Sequence, residues 1–429
     1  MNAPLNTWNR GQQRMAVVLA TAGTTAFAMA TARFYGPFLQ QSDANWYLAI
    51  ARGQTGSVMQ PFAARQLHAL TVRGIAAVFH QPVEWTFVAV GLFCLIFLLA
   101  VVFSLMMQTA APRWMLLAVG GTLVWPILYA GLALPDLWYG AWTAVLLLLL
   151  SRRRYLAAAW IMLPLMVSRE STVLAAICFV IAAWRELRWR GLAIAGGACA
   201  LGMLVVHQLV SGGRGNAEGL PQAVYMLGKA PWNLARNVLG VQPWSNLYPM
   251  LCNHPRWQWA VHLGPVQAVG VCHVDPIQPI LWIQALLTVF GLLPALAVAL
   301  WLRQRGRRAE QRDVLLRFCV IYGVTYFVLS PALGTAVARM VGYAWPLLVV
   351  AVPMLARRMR GGWRVPAFLA IHLSLCLVGL HLHQVISQIE VRWTEVTLLA
   401  AFAAGCALAP GMMDGDEPGE RLSDPLYVR

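Results

Sequence analysis

Long apolar segments, separated by short loops that contain arginine, run along nearly the whole of this 429-residue chain. These segments lie at 15–33, 86–107, 114–133, 137–151, 191–211, 277–302, 314–332, 340–356, 365–388 and 394–411. Most approach the roughly 20 residues that a helix needs to cross a bilayer. The pattern therefore predicts an all-α polytopic membrane protein.

One further apolar run, from 155 to 184, is too long for a single ordinary span, because thirty helical residues would reach about 45 Å. A single span would also separate the arginines at 152–154 from those at 185–190. Two short helices joined at Arg169-Glu170 keep both groups on one side. We therefore predict a hairpin with Arg169 and Glu170 near the outer face. Added to the ten segments above, it gives twelve spans with both termini inside.

Composition supports the membrane assignment and argues against nucleic acid as a partner. Apolar residues make up 59% of the chain and charged residues only 11%, against about 25% in soluble domains. The formal net charge of +16 comes almost wholly from arginine, with Lys229 the only lysine. Arginine in short cytoplasmic loops is the usual topology signal of a membrane protein, and we find no soluble basic domain that could bind nucleic acid.

The remaining segments divide into one long loop and a tail. We assign residues 1–413 to the membrane domain, with a long periplasmic loop at 212–276, and residues 414–429 to an acidic, disordered cytoplasmic tail. Cys252 and Cys272 lie in the loop and are candidates for a disulfide in that compartment. The tryptophans and cations of the loop suit contact with carbohydrate or lipid phosphate, or a position in the membrane-interface belt.

Acidic residues are scarce, with 16 Asp and Glu in the chain, so those predicted at the outer face are informative. Asp43 follows the first span and lies beside Trp46 and Tyr47. It could act as a general base on an acceptor hydroxyl while the aromatic side chains hold a sugar. The alternative is an N-cap of a short surface helix. Asp136, at the outer end of another span, could share a cavity with Asp43 or cap its own helix.

Several arginines are predicted on the outer side, where a lipid phosphate is the natural counter-ion. Arg65 and Arg73 fall on one face of a predicted surface helix at 61–80, where they either grip a phosphate or extend towards water. Arg169 could contact a phosphate and Glu170 could orient another arginine, or both could form structural ion pairs. Because neighbours on a helix point in different directions, each needs its own partner.

These features together resemble the GT-C superfamily of membrane glycosyltransferases, which use polyprenyl-phosphate sugars. Four stretches carry the resemblance: Ser-Asp-Ala-Asn-Trp-Tyr at 42–47, Pro-Phe-Ala-Ala-Arg at 61–65, Ser-Arg-Glu-Ser at 168–171, and Arg339 ahead of Tyr343 and Pro346. The chain departs from the superfamily in having no Asp-x-Asp or Glu-x-Asp pair around Asp43.

The resemblance implies inverting transfer of a sugar to a lipid-linked or cell-surface glycan at the outer face of the bacterial inner membrane. Asp43 would be the base, and Arg65, Arg169 and Arg339 would stabilise the departing lipid phosphate. Asp136 would assist in binding the acceptor or a divalent cation as cofactor. Two other classes fit the same residues: a transporter or flippase for lipid-linked glycans, and a non-catalytic partner in their assembly.

Overall fold

The computed structural model describes residues 10–34, 43–58, 61–109, 114–123, 126, 134–211, 222–246, 254–263, 266–276, 287, 289–303, 313–334, 337–356 and 364–382. Most of these residues are helical. Three helices are long and apolar enough to cross a membrane: Val83–Met107, Trp189–Val210 and Val314–Leu333. Shorter apolar helices accompany them.

In the first half of the chain, the elements within the described ranges are all helices. In chain order they are α1 (Arg10–Phe34), α2 (Ala44–Ala51), α3 (Gln66–Phe79), α4 (Val83–Met107), α5 (Trp114–Gly121), α6 (Pro135–Ser151), α7 (Tyr155–Trp160), α8 (Met162–Ser168), α9 (Thr172–Ala182), α10 (Trp184–Leu187) and α11 (Trp189–Ser211). Two 3₁₀ turns, Thr55–Ser57 and Phe62–Ala64, separate α2 from α3.

The second half contains helices and a small sheet. Its elements are α12 (Gln222–Leu239), β1 (Val241–Ser245), β2 (Trp257–Leu263), β3 (Val266–Val274), α13 (Leu293–Arg303), α14 (Val314–Leu333), α15 (Val337–Val341), α16 (Trp345–Leu355) and α17 (Arg364–Leu382). A 3₁₀ turn at Gly342–Ala344 joins α15 to α16.

Helix α4 has apolar residues both in the core of the bundle and on its surface. It is hydrophobic on every side, so it cannot be sorted into a core face and a water face by its sequence. Phe87 is fully buried against neighbouring helices, whereas the Phe93 side chain is 68% exposed. An exposed phenylalanine on such a helix indicates a surface that contacts lipid.

The chain reverses at Arg169, where the sequence predicts a hairpin. Arg169 is extended (φ −162°, ψ 134°), which ends α8 before α9 begins. Tyr155 at the start of α7 lies within electrostatic range of Glu186 in α10, although 31 residues separate them. The reversal also places Val167 of α8 against Val206 of α11. Both arginine-rich turns that flank this hairpin therefore lie at the same end of the bundle.

The prediction of an all-α fold is wrong for the region 212–276, which was assigned to a long loop. This region contains α12 and a three-stranded antiparallel sheet in the order β1-β3-β2. Trp257, Trp259 and Val261 alternate with other residues along β2, which is the period-two pattern of a strand. Trp257 and Trp259 are 44% and 54% exposed, so this face of the sheet is open.

Helix α12 forms hydrogen bonds with the C-terminal end of α14. Pro331 interrupts the last turn of α14, and Gly334 continues in an extended conformation. The Asn237 amide donates to the carbonyl oxygens of Pro331 at 2.8 Å and Gly334 at 2.9 Å. The Asn233 amide donates to Ala332 O at 3.0 Å. These bonds satisfy carbonyl groups that a helix end leaves without a partner, and they fix the chain just before α15.

Candidate functional site

Four separate parts of the chain meet at one end of the bundle and contribute charged side chains there. Asp43 precedes α2, Asp136 lies in the first turn of α6, Arg169 occupies the break between α8 and α9, and Arg339 lies in α15. Three of these positions are next to a helix end, and the first turn of a helix is a favourable place for a carboxylate.

Arg339 joins two carboxylates. Its Nε donates to Asp136 Oδ2 at 2.7 Å, and its Nη1 donates to Asp43 Oδ2 at 2.7 Å. The Asp136 side chain is fully buried, whereas the Asp43 side chain is 36% exposed. One guanidinium therefore connects a carboxylate that reaches the surface to one that does not.

Arg169 lies on the buried side of this pair. Its Nη1 is 3.5 Å from Asp136 Oδ1 and also donates to the Tyr343 hydroxyl, while its Nη2 donates to Met340 Sδ at 2.8 Å. Tyr343 in turn donates to Asp136 Oδ1, and the Arg169 guanidinium lies 4.3 Å from the Tyr343 ring centroid. Both oxygens of the buried Asp136 carboxylate are therefore bonded, as burial requires.

A second ion pair lies beside the first. Arg65 Nε donates to Glu170 Oε2 at 2.9 Å, and Arg65 Nη2 donates to Glu170 Oε1, which makes a two-pronged contact. The side chains are 5% and 11% exposed. Arg65 follows the 3₁₀ turn Phe62–Ala64, which aims it at the α8–α9 break. Arg169 and Glu170 thus have separate partners, as their adjacent positions predict.

Tyr47 links the two ion-pair groups. It is fully buried in α2 and lies within electrostatic range of both Arg65 and Arg339. Burial raises the pKa of the Tyr47 phenol, and the positive charges of Arg65 and Arg339 offset part of that rise. We call this group of eight residues the charge network. It consists of two tyrosines and six charged residues: Tyr47, Tyr343, Asp43, Arg65, Asp136, Arg169, Glu170 and Arg339.

Aromatic side chains border the exposed edge of the charge network. Trp46 stacks on Phe62 at 6.1 Å between ring centroids, and Tyr47 meets Phe62 edge-on at 5.8 Å. Trp46 is partly exposed, whereas Tyr47 is buried. Of the two aromatic residues predicted to hold a sugar, Trp46 is therefore the more accessible.

A layer of tyrosines underlies the charge network. The hydroxyl oxygens of Tyr139 and Tyr322 are 2.8 Å apart, and those of Ser171 and Tyr326 are 3.0 Å apart. The ring of Tyr343 contacts those of Tyr139 and Tyr326, at 5.3 and 5.7 Å. Sequence reasoning missed this layer. The spacing of Tyr322 and Tyr326, four residues apart on one helix face, was the signal that could have found it.

The predicted pairing of Arg65 with Arg73 is wrong. Arg73 is exposed, and its guanidinium lies over Gly53. Arg65 precedes α3 with φ −104° and ψ 59°, so the two arginines do not share a helical face. Pro61 and the 3₁₀ turn after it break the helical register on which the prediction rested.

The capping alternative for Asp43 is also wrong. Asp43 occupies the N-cap position of α2, but its side chain accepts no hydrogen bond from the first turn. Its carboxylate is directed to Arg339 instead. Asp136 is inside the first turn of α6, after Leu134 at the N-cap. Neither carboxylate serves as a helix cap.

One of the two disulfide candidates lies within the sheet. Cys272 in β3 is disulfide-bonded. Its predicted partner, Cys252, lies outside the described residues, so the pairing stays a prediction. The five cysteines found free in the described ranges are all buried.

A divalent cation does not fit between Asp43 and Asp136, because the Arg339 guanidinium already lies between their carboxylates. A second positive charge there would face the first at close range. Over the ranges with assigned structure, no group of three His, Cys, Asp or Glu side chains comes together as a metal site would require.

Comparison with models of known families, with curated proteins and with solved structures gives no match. The chemistry of the charge network is therefore the basis for assigning a function.

Proposed function

We propose that the protein transfers a sugar from a polyprenyl-phosphate donor to a lipid-linked or cell-surface glycan, as a member of the GT-C superfamily. The charge network would be its active site. The proposal includes twelve spans, both termini in the cytoplasm, and a network that faces the outside of the bacterial inner membrane.

The observation that carries the proposal is the unequal exposure of the three carboxylates. Asp43 is 36% exposed, whereas Glu170 is 11% exposed and Asp136 is fully buried. A general base must reach the hydroxyl that it deprotonates. Asp43 meets this requirement. Asp136 has Arg339, Arg169 and Tyr343 as partners and instead positions the two arginines.

In the proposed reaction, every bond formed is matched by a bond broken. The acceptor oxygen attacks the anomeric carbon while its proton passes to the Asp43 carboxylate. The bond between that carbon and the phosphate oxygen breaks, and its electron pair leaves with the polyprenyl phosphate. Attack opposite the leaving group inverts the anomeric configuration.

The arginines would supply the positive charge that the departing phosphate needs. Arg339, with a 10% exposed side chain, is beside Asp43 and is the first candidate to contact it. Arg169 is only 2% exposed, and we assign it a positioning role through Asp136 and Tyr343. Arg65 would act together with Glu170, which holds its guanidinium by two bonds.

The test is an assay with purified protein in vesicles that contain a labelled polyprenyl-phosphate sugar and a panel of glycan acceptors. A transferase produces a labelled glycan. A flippase moves the labelled lipid to the other leaflet without forming a product, and an assembly partner does neither. The donor and acceptor are chosen from the building blocks of the glycan that is lost when the gene is deleted. With these substrates, lipid movement without product, or neither activity, would overturn the proposal.

A further inference from the structure

The end of the bundle opposite the charge network carries a dense group of exposed arginines. Helix α6 connects the two ends, and the sixteen residues from Asp136 to Arg152 correspond to about 24 Å at 1.5 Å per residue. This separation is close to the thickness of the hydrocarbon core of a bilayer, about 30 Å. The exposed arginines are thus placed at the opposite membrane surface.

Two tight turns supply these arginines. The first joins α6 to α7 and the second joins α10 to α11, and each is closed by a residue with positive φ, 55° at Arg153 and 50° at Arg188. We call these two turns, together with the helix ends beside them, the arginine turns. Their arginine side chains are all exposed: Arg152, Arg153, Arg154, Arg185, Arg188 and Arg190.

The fold brings the arginine turns together. Tyr155, directly after the first turn, lies within electrostatic range of Glu186 and Arg317. Glu186, in the second turn, forms an ion pair with Arg317 at 2.7 Å. Arg317 lies in the first turn of α14, so this pair connects the second arginine turn to a third helix end.

The arginines at this end outnumber the acids that are described near them. Glu186 is paired with Arg317, and Asp313 caps α14 by accepting a hydrogen bond from Leu315 N at 2.9 Å. The six arginines of the turns and Arg317, set against these two acids, sum to a formal charge of +5.

Two tryptophans accompany the arginines. Trp184 and Trp189 flank the second turn, and their rings meet edge-on at 5.2 Å. They are 42% and 70% exposed. Tryptophan favours the headgroup level of a bilayer, where its ring contacts acyl chains and its N–H meets polar groups.

We propose that the arginine turns form a binding site for the phosphate headgroup of an anionic phospholipid in the adjacent leaflet. Guanidinium groups bind phosphate through two parallel hydrogen bonds, and anionic headgroups are attracted to clustered arginine near the membrane surface. Charge complementarity thus favours an anionic lipid over a neutral one. Membrane topology depends on the number of positive charges in a loop and not on their exact positions. A headgroup site, in contrast, depends on particular arginines.

The experiment measures lipid binding to delipidated protein in neutral detergent by native mass spectrometry. The probes are dioctanoyl phosphatidylglycerol, dioctanoyl phosphatidylcholine and inorganic phosphate. Two variants are matched in the charge that they remove: R185Q/R190Q in the second arginine turn, and R52Q/R256Q, whose exposed arginines lie on other surfaces. Elution volume and circular dichroism check folding.

The site predicts that phosphatidylglycerol binds about tenfold more tightly than phosphatidylcholine, a difference of about 1.4 kcal/mol. R185Q/R190Q should lose most of this preference, and R52Q/R256Q should keep it. R185K/R190K retains the charge but cannot form the two-pronged hydrogen bonds, so it should bind phosphatidylglycerol with intermediate affinity. This variant replaces R185Q/R190Q in the comparison if the latter misfolds. Equal binding of the two lipids, equal loss in the matched variants, or competition by inorganic phosphate as effective as by the lipid would overturn the proposal.

Discussion

Both ends of the bundle carry arginines, but the arginines are in opposite environments. At the charge network, three arginines meet three carboxylates, and the described side chains are largely buried. At the arginine turns, six arginines are exposed, and the nearby Glu186 pairs with Arg317. The same helices, α6 and α14, run between both ends.

Desolvation explains this difference. A charge removed from water is stable only with a partner and with its remaining hydrogen bonds satisfied, so burial of Arg169 requires Asp136, Tyr343 and Met340. An exposed arginine keeps its water and needs no protein partner. We therefore expect that removing a charge lowers the free energy of unfolding much more at the charge network than at the arginine turns.

The largest effect is expected from Asp136→Ala. Removing this carboxylate leaves Arg169 and Arg339 buried without their shared partner, which should lower the free energy of unfolding by about 3–5 kcal/mol. Asp136→Asn keeps a hydrogen-bond acceptor and should cost less. Unfolding in a denaturing detergent, monitored by circular dichroism, measures both. A loss below about 1 kcal/mol, the size of a surface pair, would remove the distinction between the ends.

A smaller effect is expected where α12 supports the network end. Asn237→Ala leaves the carbonyl groups of Pro331 and Gly334 without this donor, and should cost about 1–3 kcal/mol. Leu234→Ala, at a 40% exposed position on the same helix, is the matched control and should be nearly neutral. If both variants unfold alike, α12 does not hold the segment that leads to Arg339.

The tyrosine layer offers a milder test. Tyr322→Phe deletes the hydroxyl that meets Tyr139 at 2.8 Å, and should cost about 0.5–1.5 kcal/mol. Tyr155→Phe makes the same chemical change beside the arginine turns, where the side chain is only partly buried, and should change the unfolding midpoint less. A larger effect at Tyr155 would reverse the expected order.

The smallest effect is expected at the arginine turns themselves. Glu186→Gln breaks a pair whose side chains are 26% and 14% exposed, and we expect a cost of about 0–1 kcal/mol. The same unfolding titration applies. A cost above about 2 kcal/mol would mean that this ion pair resembles those of the charge network.

Part of the network could be anticipated from sequence because Arg169 and Glu170 interrupt a long apolar run. The overlong run at 155–184 required a break, and Arg169-Glu170 was the polar point at which to place it. Topology then put Asp43, Asp136 and Arg339 on the same side. Which atoms meet could not be predicted, because the partners lie up to 296 residues apart along the chain.

Other features lacked a local signal or had one that was misread. Arg65 and Arg73 diverge because Arg65 has non-helical backbone angles and lies between a 3₁₀ turn and the start of α3. The carbonyl contacts of Asn237 depend on a helix end almost a hundred residues away. The strand β2 did have a signal, the alternation of Trp257 and Trp259, but its aromatic residues were read only as interface or ligand contacts.

The most direct test of the central claim is the rate of sugar transfer by Asp43→Asn, measured in the vesicle assay beside wild type and Glu186→Gln. The substitution keeps the size of the side chain at a partly exposed position but removes the base. We predict that Asp43→Asn reduces transfer by at least about a hundredfold while elution volume and circular dichroism stay unchanged, and that Glu186→Gln transfers like wild type. Transfer by Asp43→Asn at the wild-type rate would contradict the assignment of the charge network as a glycosyl-transfer site.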